Sequence, residues 1–327
     1  MAGIAKRMSC YARYAGRGER SLANIVQSQQ IRARGRANIG ARQMKPLVAV
    51  IAPGMMGAAV GQRLVANGLK VLTSLKGRSA ETSARAKAAG IVSASDEEIA
   101  AADFILSILP PGDAVALAQR FAAPLTASNS KPVYVDCNAV APRTVERLAA
   151  AIAPTGAPFV DAGIIGAPPQ DNDAGPRIYA SGPHAPRFAA LKAFGLDIRV
   201  LGGPISAASA LKMSYAGITK GTQALGAAML LAATRGGTAD ALFAELSGSQ
   251  PQMLAWLKRS LAQMPPKAYR WIAEMHEIAD FVGADPSAHE LYLGAAHFYE
   301  QIARDFAHEK KDVAALEAFL GKGAARS

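Results

Sequence analysis

PLVAVIAPGMMGAAVGQRLVANG, residues 46–68, decides the fold. Its first seven residues (46–52) are apolar and rich in β-branched side chains, the composition of a strand buried on both faces. The chain then turns on glycine, a helix follows from Met55, and Gly68 stops it. A strand that runs through a glycine-rich turn into a helix suits a dinucleotide pyrophosphate for three reasons. The turn must be tight, the backbone must come close to phosphate, and the helix must pack closely on the strand. Ala52 stands at the first of the three small-residue positions, Gly54 at the second and Gly57 at the third; Pro53, Met55 and Met56 complete the loop. Ala58 and Ala59 keep the seam thin, and the helix N-terminus offers free N–H groups and a positive dipole end to an anion. The plainer alternative is a structural strand–turn–helix without a ligand.

The second strand, KVLTSL at 70–75, ends where NAD-binding chains usually place an acid for the ribose 2′-hydroxyl. Here Lys76-Gly77-Arg78-Ser79 follows, with no acid before Glu81. Arg78 and Ser79 suit a 2′-phosphate instead, so NADP is the expected cofactor and NAD the alternative. A solvated loop arginine is the reading without function.

Further strands are predicted at 104–109, 132–136, 158–161, 177–180 and 198–201, with helices at 80–89 and 143–152. This alternation implies a parallel sheet covered by helices on both faces. From residue 205 onward no convincing strand appears, and helices are expected at 206–233, 239–246, 251–263, 269–281 and 288–307. The expected class is α/β: a Rossmann-type doubly wound parallel sheet at 45–203, then an all-α domain at 204–327 for substrate and dimerisation.

Residues 1–45 hold ten Lys and Arg and one Glu, so they account for nine of the eleven formal positive charges. The body is nearly neutral and carries no nucleic-acid stripe. Residues 1–44 are Arg-rich, acid-poor and without an apolar core, which argues against a secretory signal. They read as a disordered or over-extended leader with Met44 as the natural start, as an organellar transit peptide, or as a nucleic-acid arm. The first reading implies a cytoplasmic protein. Cys10 and Cys137 are the only cysteines, which fits a reducing compartment. No apolar run reaches membrane-spanning length and no metal-ligand spacing is present.

Three stretches, SILPP at 107–111, DCNAVAP at 136–142 and FVDAGIIGAPP at 159–169, carry a resemblance in their order and spacing. Together they resemble the β-hydroxyacid dehydrogenase superfamily, which includes 3-hydroxyisobutyrate and 6-phosphogluconate dehydrogenases. KMSYAGITKGTQAL at 212–225 and RWIAEMHEIAD at 270–280 look like a branch with a C-terminal helical domain of unknown function. The resemblance implies that Leu109 and Pro110 line the nicotinamide pocket and that Asn138 approaches the cofactor. It implies that Gly166 lies at the substrate and that Lys212 exchanges the proton. The family's substrate-binding Ser is Ile165 here, its second Gly is Ala167, and the Asn one turn past the Lys is Ala216. The usual carboxylate clamp is thereby weakened.

Lys212 also has a physical case. At about 100° per residue, Lys212, Ala216, Thr219 and Gln223 share one helical face, and a helix leaving the sheet's carboxyl edge passes the ligand crevice. A partly desolvated amine there gives or takes a proton near neutrality; snorkelling to solvent or pairing with an acid is the alternative. Lys220 projects to a different face and is expected in solvent, as is His184. Tyr215 reads equally as a pocket lid or as core. Trp271, Met275 and Ile278 have core spacing, while Glu274 or His276 is a weaker candidate to face substrate.

The leading expectation is an NAD(P)-dependent dehydrogenase or reductase for a small hydroxy- or oxo-acid-like compound. The alternatives are an imine reductase on the same scaffold, whose members generally lack the Lys, and a non-catalytic dinucleotide-binding redox sensor. A homodimer through the helical domains is expected, with no nucleic-acid or membrane partner.

Overall fold

The computed structural model describes residues 45–170 and 173–322; the leader, 1–44, lies outside the described residues. The predicted first strand is β1 (Val48–Ile51), which leads through Ala52–Gly54 into α1 (Met55–Ala66) and β2 (Val71–Thr73). Then come α2 (Ala80–Ala88), a two-residue β3 (Val92–Ser93), α3 (Asp96–Ala100), β4 (Phe104–Ser107), α4 (Ala114–Ala127), β5 (Val133–Asp136) and α5 (Pro142–Ile152). β6 (Phe159–Ile165), β7 (Arg177–Ser181), the short α6 (Ala185–Phe188) and β8 (Asp197–Val200) complete the sheet, whose spatial order is β3-β2-β1-β4-β5-β6-β7-β8. The order reverses between β1 and β4, so the crevice beyond their carboxyl ends is the expected ligand position.

All pairings are parallel except β6 with β7. The parallel sheet expected from the sequence is found in every other pairing. The connection 166–176 shows no helix among its described residues, and a parallel return needs a crossover of about a dozen residues or more. β6 also runs four residues past the expected end at Asp161.

Every residue of β1 is buried, and successive residues point into different clusters. Val48 and Val50 join one apolar cluster with Val60 and Leu64 of α1 and Phe188 of α6. Ala49 and Ile51 join a second with Leu117, Phe121 and Leu125 of α4 and Val145 and Leu148 of α5. The sheet is therefore covered on both faces, which is why its strands read as continuous apolar runs.

After β8 the described chain is helical: α7 (Ala207–Arg235), α8 (Ala239–Ser249), α9 (Pro251–Leu261), α10 (Ala268–Phe281), α11 (Pro286–Ala307) and α12 (Lys311–Leu320). A third apolar cluster, including Met213, Leu230, Met275, Ile278 and Phe319, holds them together. α7 has 29 residues and leans on β6 at Gly163, where a Cβ would lie 2.9 Å from the Ala208 carbonyl oxygen and 3.0 Å from Lys212 Cβ. No helix among the described residues is long and apolar enough to cross a membrane.

Candidate functional site

The dinucleotide loop takes the shape its sequence implies. A Cβ on Gly57 would lie 2.5 Å from the Ala52 carbonyl oxygen, so only glycine allows α1 to start against β1. A Cβ on Gly54 would meet nothing within 4 Å, which leaves its backbone open to solvent beyond the strand. Ala52 takes the left-handed conformation, φ +64°, that a glycine adopts without cost. The Gly54 amide donates to the Ala52 carbonyl at 2.8 Å and tightens the turn. No side chain caps α1 and no acid occupies its first turn, so its N–H groups remain available to an anion. Met55 is exposed, and Met56 packs on the first core cluster. Arg85 of α2 donates to the Pro53 carbonyl at 3.4 Å, steadying the loop from the side. These observations fit a dinucleotide pyrophosphate.

At the end of β2, Lys76 and Arg78 are exposed. The first acid after the strand, Glu81, is paired with Arg85 along α2. Ser79 is the N-cap of α2, accepting from the Thr82 amide at 3.2 Å.

A polar row crosses the carboxyl edge of the sheet. Strand register places Ser107, Asp136, Asp161 and Ser181 side by side on β4 to β7, and all four are fully buried. Asn138 clasps the row. Its amide nitrogen donates to Ser107 Oγ at 2.8 Å and to Asp136, while its oxygen accepts from the Leu109 amide at 2.6 Å. The expected cofactor-facing Asn138 is thus buried and fixes the Leu109–Pro110 loop from behind. Asp161 accepts from Ser209 Oγ at 2.6 Å and from the Ser209 amide at 2.8 Å, tying the start of α7 to the sheet. Burial, and then Asp161 beside it, pushes the Asp136 carboxyl up to about 7. Burial pushes Asp161 up to about 6 against the hydrogen bonds from Ser209 and Ser181. The sequence contained this row only as two aspartates that close predicted apolar strands; Asp136 does end β5, whereas Asp161 is the third residue of β6.

α10 closes over this edge. Glu277 accepts from the Ala141 amide at 2.6 Å and from Thr144 Oγ1 at 3.0 Å, capping the start of α5 across 136 residues of chain. One turn earlier Glu274 is buried, with Lys212 Nζ 3.6 Å from its Oε1 and Lys220 Nζ against its Oε2. Lys212 is thus mostly buried beside Gly163 and pairs with an acid from another helix. The expectation that Lys220 is solvated is corrected: its side chain is 15% exposed and lies over the Trp271 ring at 5.1 Å. A projection of α7 alone separates the two lysines, but long side chains reach a carboxylate that α10 places between them. Glu274 faces in and His276 faces solvent.

Other expected residues fall elsewhere. Ala216 is 1% exposed and belongs to the helical core with Met213 and Met275, so it packs rather than lining a polar pocket. Thr219 Oγ1 donates to the Tyr215 carbonyl, and Gln223 Nε2 to the Thr219 carbonyl, so both polar groups turn back on their own helix. Tyr215 is exposed. Gly166 (φ +133°) backs onto Pro176, where a Cβ would lie 3.1 Å from the proline Cα. Ile165 is half-buried and Ala167 exposed. Arg63 of α1 pins the connection that follows, pairing with Asp173 at 2.8 Å. Among the described residues no cluster of His, Cys, Asp or Glu is arranged to hold a metal.

Fold and site together define a Rossmann dinucleotide-binding domain with α10 of the helical domain packed on its carboxyl edge at the start of α5. Residues 47–195 match the NAD-binding domain of 6-phosphogluconate dehydrogenase. Residues 233–302 match DUF1932, a domain of unknown function. An uncharacterized 28.5 kDa protein of Methanothermus fervidus is 28% identical over 194 residues, which is 59% of this chain and 73% of that protein. A solved conserved protein of unknown function, noted for structural similarity to 3-hydroxyacid dehydrogenases, is 29% identical. That alignment spans 83% of this chain and 99% of the other, with a TM-score of 0.61. The 3-hydroxyisobutyrate dehydrogenase of Mycobacterium tuberculosis, solved with L-serine, shares the fold at 19% identity and a TM-score of 0.65, over 84% of this chain and 99% of that one.

Proposed function

We propose that the protein is an NAD(P)-dependent oxidoreductase for a small hydroxy- or oxo-acid-like substrate, with Lys212 as its acid–base residue. One observation carries this reading. The anion-receptive start of α1 lies at the carboxyl edge of the sheet, and Lys212, a mostly buried lysine, packs its Cβ against Gly163 of β6 in that sheet. The residues suited to hold the dinucleotide are Ala52 to Gly57, with Leu109 and Pro110 bounding the nicotinamide side. When bound, the nicotinamide gives or accepts a hydride. Lys212 Nζ supplies a proton to the oxygen of a carbonyl being reduced, or takes one from a hydroxyl being oxidised. α10 packs against the start of α5 and against Lys212, and water kept out on that side would strengthen the electrostatic hold on a developing alkoxide.

NADP is the proposed cofactor. Lys76 and Arg78 are exposed at the end of β2, and Glu81 is occupied by Arg85, so positive charge dominates where a 2′-phosphate would lie. A charge-assisted hydrogen bond contributes about 1.5–3 kcal/mol. Arg78→Ala should therefore weaken NADPH binding by roughly tenfold or more and leave NADH binding unchanged, as read by calorimetry.

The deciding experiment measures turnover of a panel of 3-hydroxy acids and cyclic imines by nicotinamide absorbance. Lys212→Met should lower kcat by roughly 10²–10⁴-fold with NADPH affinity retained. Turnover that survives the substitution, or a protein that binds neither NADPH nor NADH, defeats the proposal. Activity confined to the imines would transfer the site to the alternative chemistry.

A further inference from the structure

Lys212 does not stand alone. Glu274 comes from α10, Lys220 from two turns further along α7, and the three side chains are 8–17% exposed. Lys220 is firmly held. Its ammonium contacts Glu274 Oε2 and covers the Trp271 ring, and its backbone carbonyl accepts from the Tyr299 hydroxyl of α11 at 2.6 Å. Lys212 is held loosely: 3.6 Å is beyond hydrogen-bond reach, and Glu274 Oε1 is buried without a hydrogen-bond partner. One carboxylate thus clamps one lysine and only attracts the other.

We propose that Lys220 and Glu274 are positioning residues that act through Lys212. Glu274 draws the amine towards the substrate side of β6, and Lys220 neutralises the carboxylate so that the amine can still exchange its proton. A mostly buried carboxylate with Lys212 as its only partner would keep that amine protonated and disable it as a base. Two lysines without the carboxylate would repel, and the site would lose its ammonium as an acid. The compensated pair avoids both extremes. Proton transfer itself is balanced at one atom: the N–H bond of Lys212 breaks as the substrate O–H forms, or the reverse, while Lys220 and Glu274 keep their charge.

Burial opposes ionisation of Glu274, but Lys220 and then Lys212 outweigh it and hold the carboxyl below its usual range. Burial pushes Lys220 down to about 8, with Lys212 and Arg270 adding repulsion against the attraction of Glu274. The charged groups nearby are accounted for. Arg270 and Glu274 face Lys220 from α10, Tyr299 sits behind it on α11, Asp161 of β6 is engaged by Ser209 and Ser181, and Glu277 by Ala141 and Thr144.

The inference rests on Lys212 exchanging the proton, but its test needs neither cofactor nor substrate. Full-length protein labelled with 13Cε-lysine is titrated by NMR, and the Lys212 signal is assigned by its loss in Lys212→Met. Lys220→Met should move the Lys212 midpoint to higher pH and Glu274→Gln to lower pH, each by roughly one unit. Lys220→Arg should leave it in place. The double variant Lys220→Met/Glu274→Gln removes one positive and one negative charge and so keeps the net charge of the cluster, and its midpoint should return close to that of the wild type. A midpoint displaced in the double variant as far as in either single variant overturns the proposal, as does movement in the same direction in both singles. Those results leave the oxidoreductase reading standing, whereas loss of the Lys212→Met effect on turnover removes that reading without altering the titration.

Discussion

Ala52 occupies a backbone conformation that its methyl group disfavours. At φ +64° an alanine costs roughly 1–2 kcal/mol relative to the right-handed region, and glycine returns part of that through its larger unfolded-state entropy. Ala52→Gly should therefore stabilise the protein by about 0.5–1 kcal/mol, read as a higher urea midpoint at unchanged m-value. A lower midpoint would mean that the surroundings hold the methyl group favourably. At this scale the loop was legible because glycine and alanine leave a mark in sequence wherever backbone crowds backbone. Lys220 was not legible. At about 100° per residue it lies some way round α7 from Lys212, and the group that reconciles them is on a helix fifty residues later. A helical projection sees only its own helix.

Among elements, the polar row has a consequence for pH. Asp136 and Asp161 are held well above the carboxylate range by burial, so the folded protein keeps protons that the unfolded chain has already released. Stability contributed by the protonated pair is complete below about pH 4 and declines as pH rises through about 7, the value to which Asp136 is pushed. Asp136→Asn removes the Asp136 share of that dependence and leaves that of Asp161. The stability of the variant relative to wild type should rise by about 1 kcal/mol or more between pH 4.5 and 8, measured by thermal unfolding at several pH values. A flat difference would show that Asp136 ionises freely in the fold. The long apolar strands and the amphipathic helices were readable from periodicity. β3, α3, α4, α6 and α12 were not placed in advance; β3 has two residues, α3 five and α6 four, too few for a period to register. The reversal at β7 escaped because an apolar strand does not carry its direction in its composition.

For the whole molecule, the open question is what covers α7. Tyr215, Ile218, Leu225 and Met229 form an exposed ridge at helical spacing, joined by Leu291 of α11. Beside it lies a groove of about 590 Å³ between α7 and α11, floored by Gly217, Gly221, Ala224, Gly294 and Ala295. Ridge and small-residue groove sit on one face, which gives that face both halves of a self-complementary, twofold contact. We propose that a second copy of the chain covers it. Light scattering after size exclusion should give twice the chain mass at micromolar concentration, and Ile218→Glu with Leu225→Glu should halve it. A monomeric wild type would refute the pairing.

Glu277 has one further implication, for the order in which the chain can be completed. The amide that starts α5 finds its acceptor 136 residues downstream, and Asp161 waits 48 residues for Ser209. As the polypeptide leaves the ribosome, its nucleotide-binding half emerges with an uncapped helix and an undersupplied carboxylate; the carboxylate is completed when α7 begins and the helix only when α10 arrives. A fragment cut after β8 would therefore be an unfinished half, not a smaller working version of the protein.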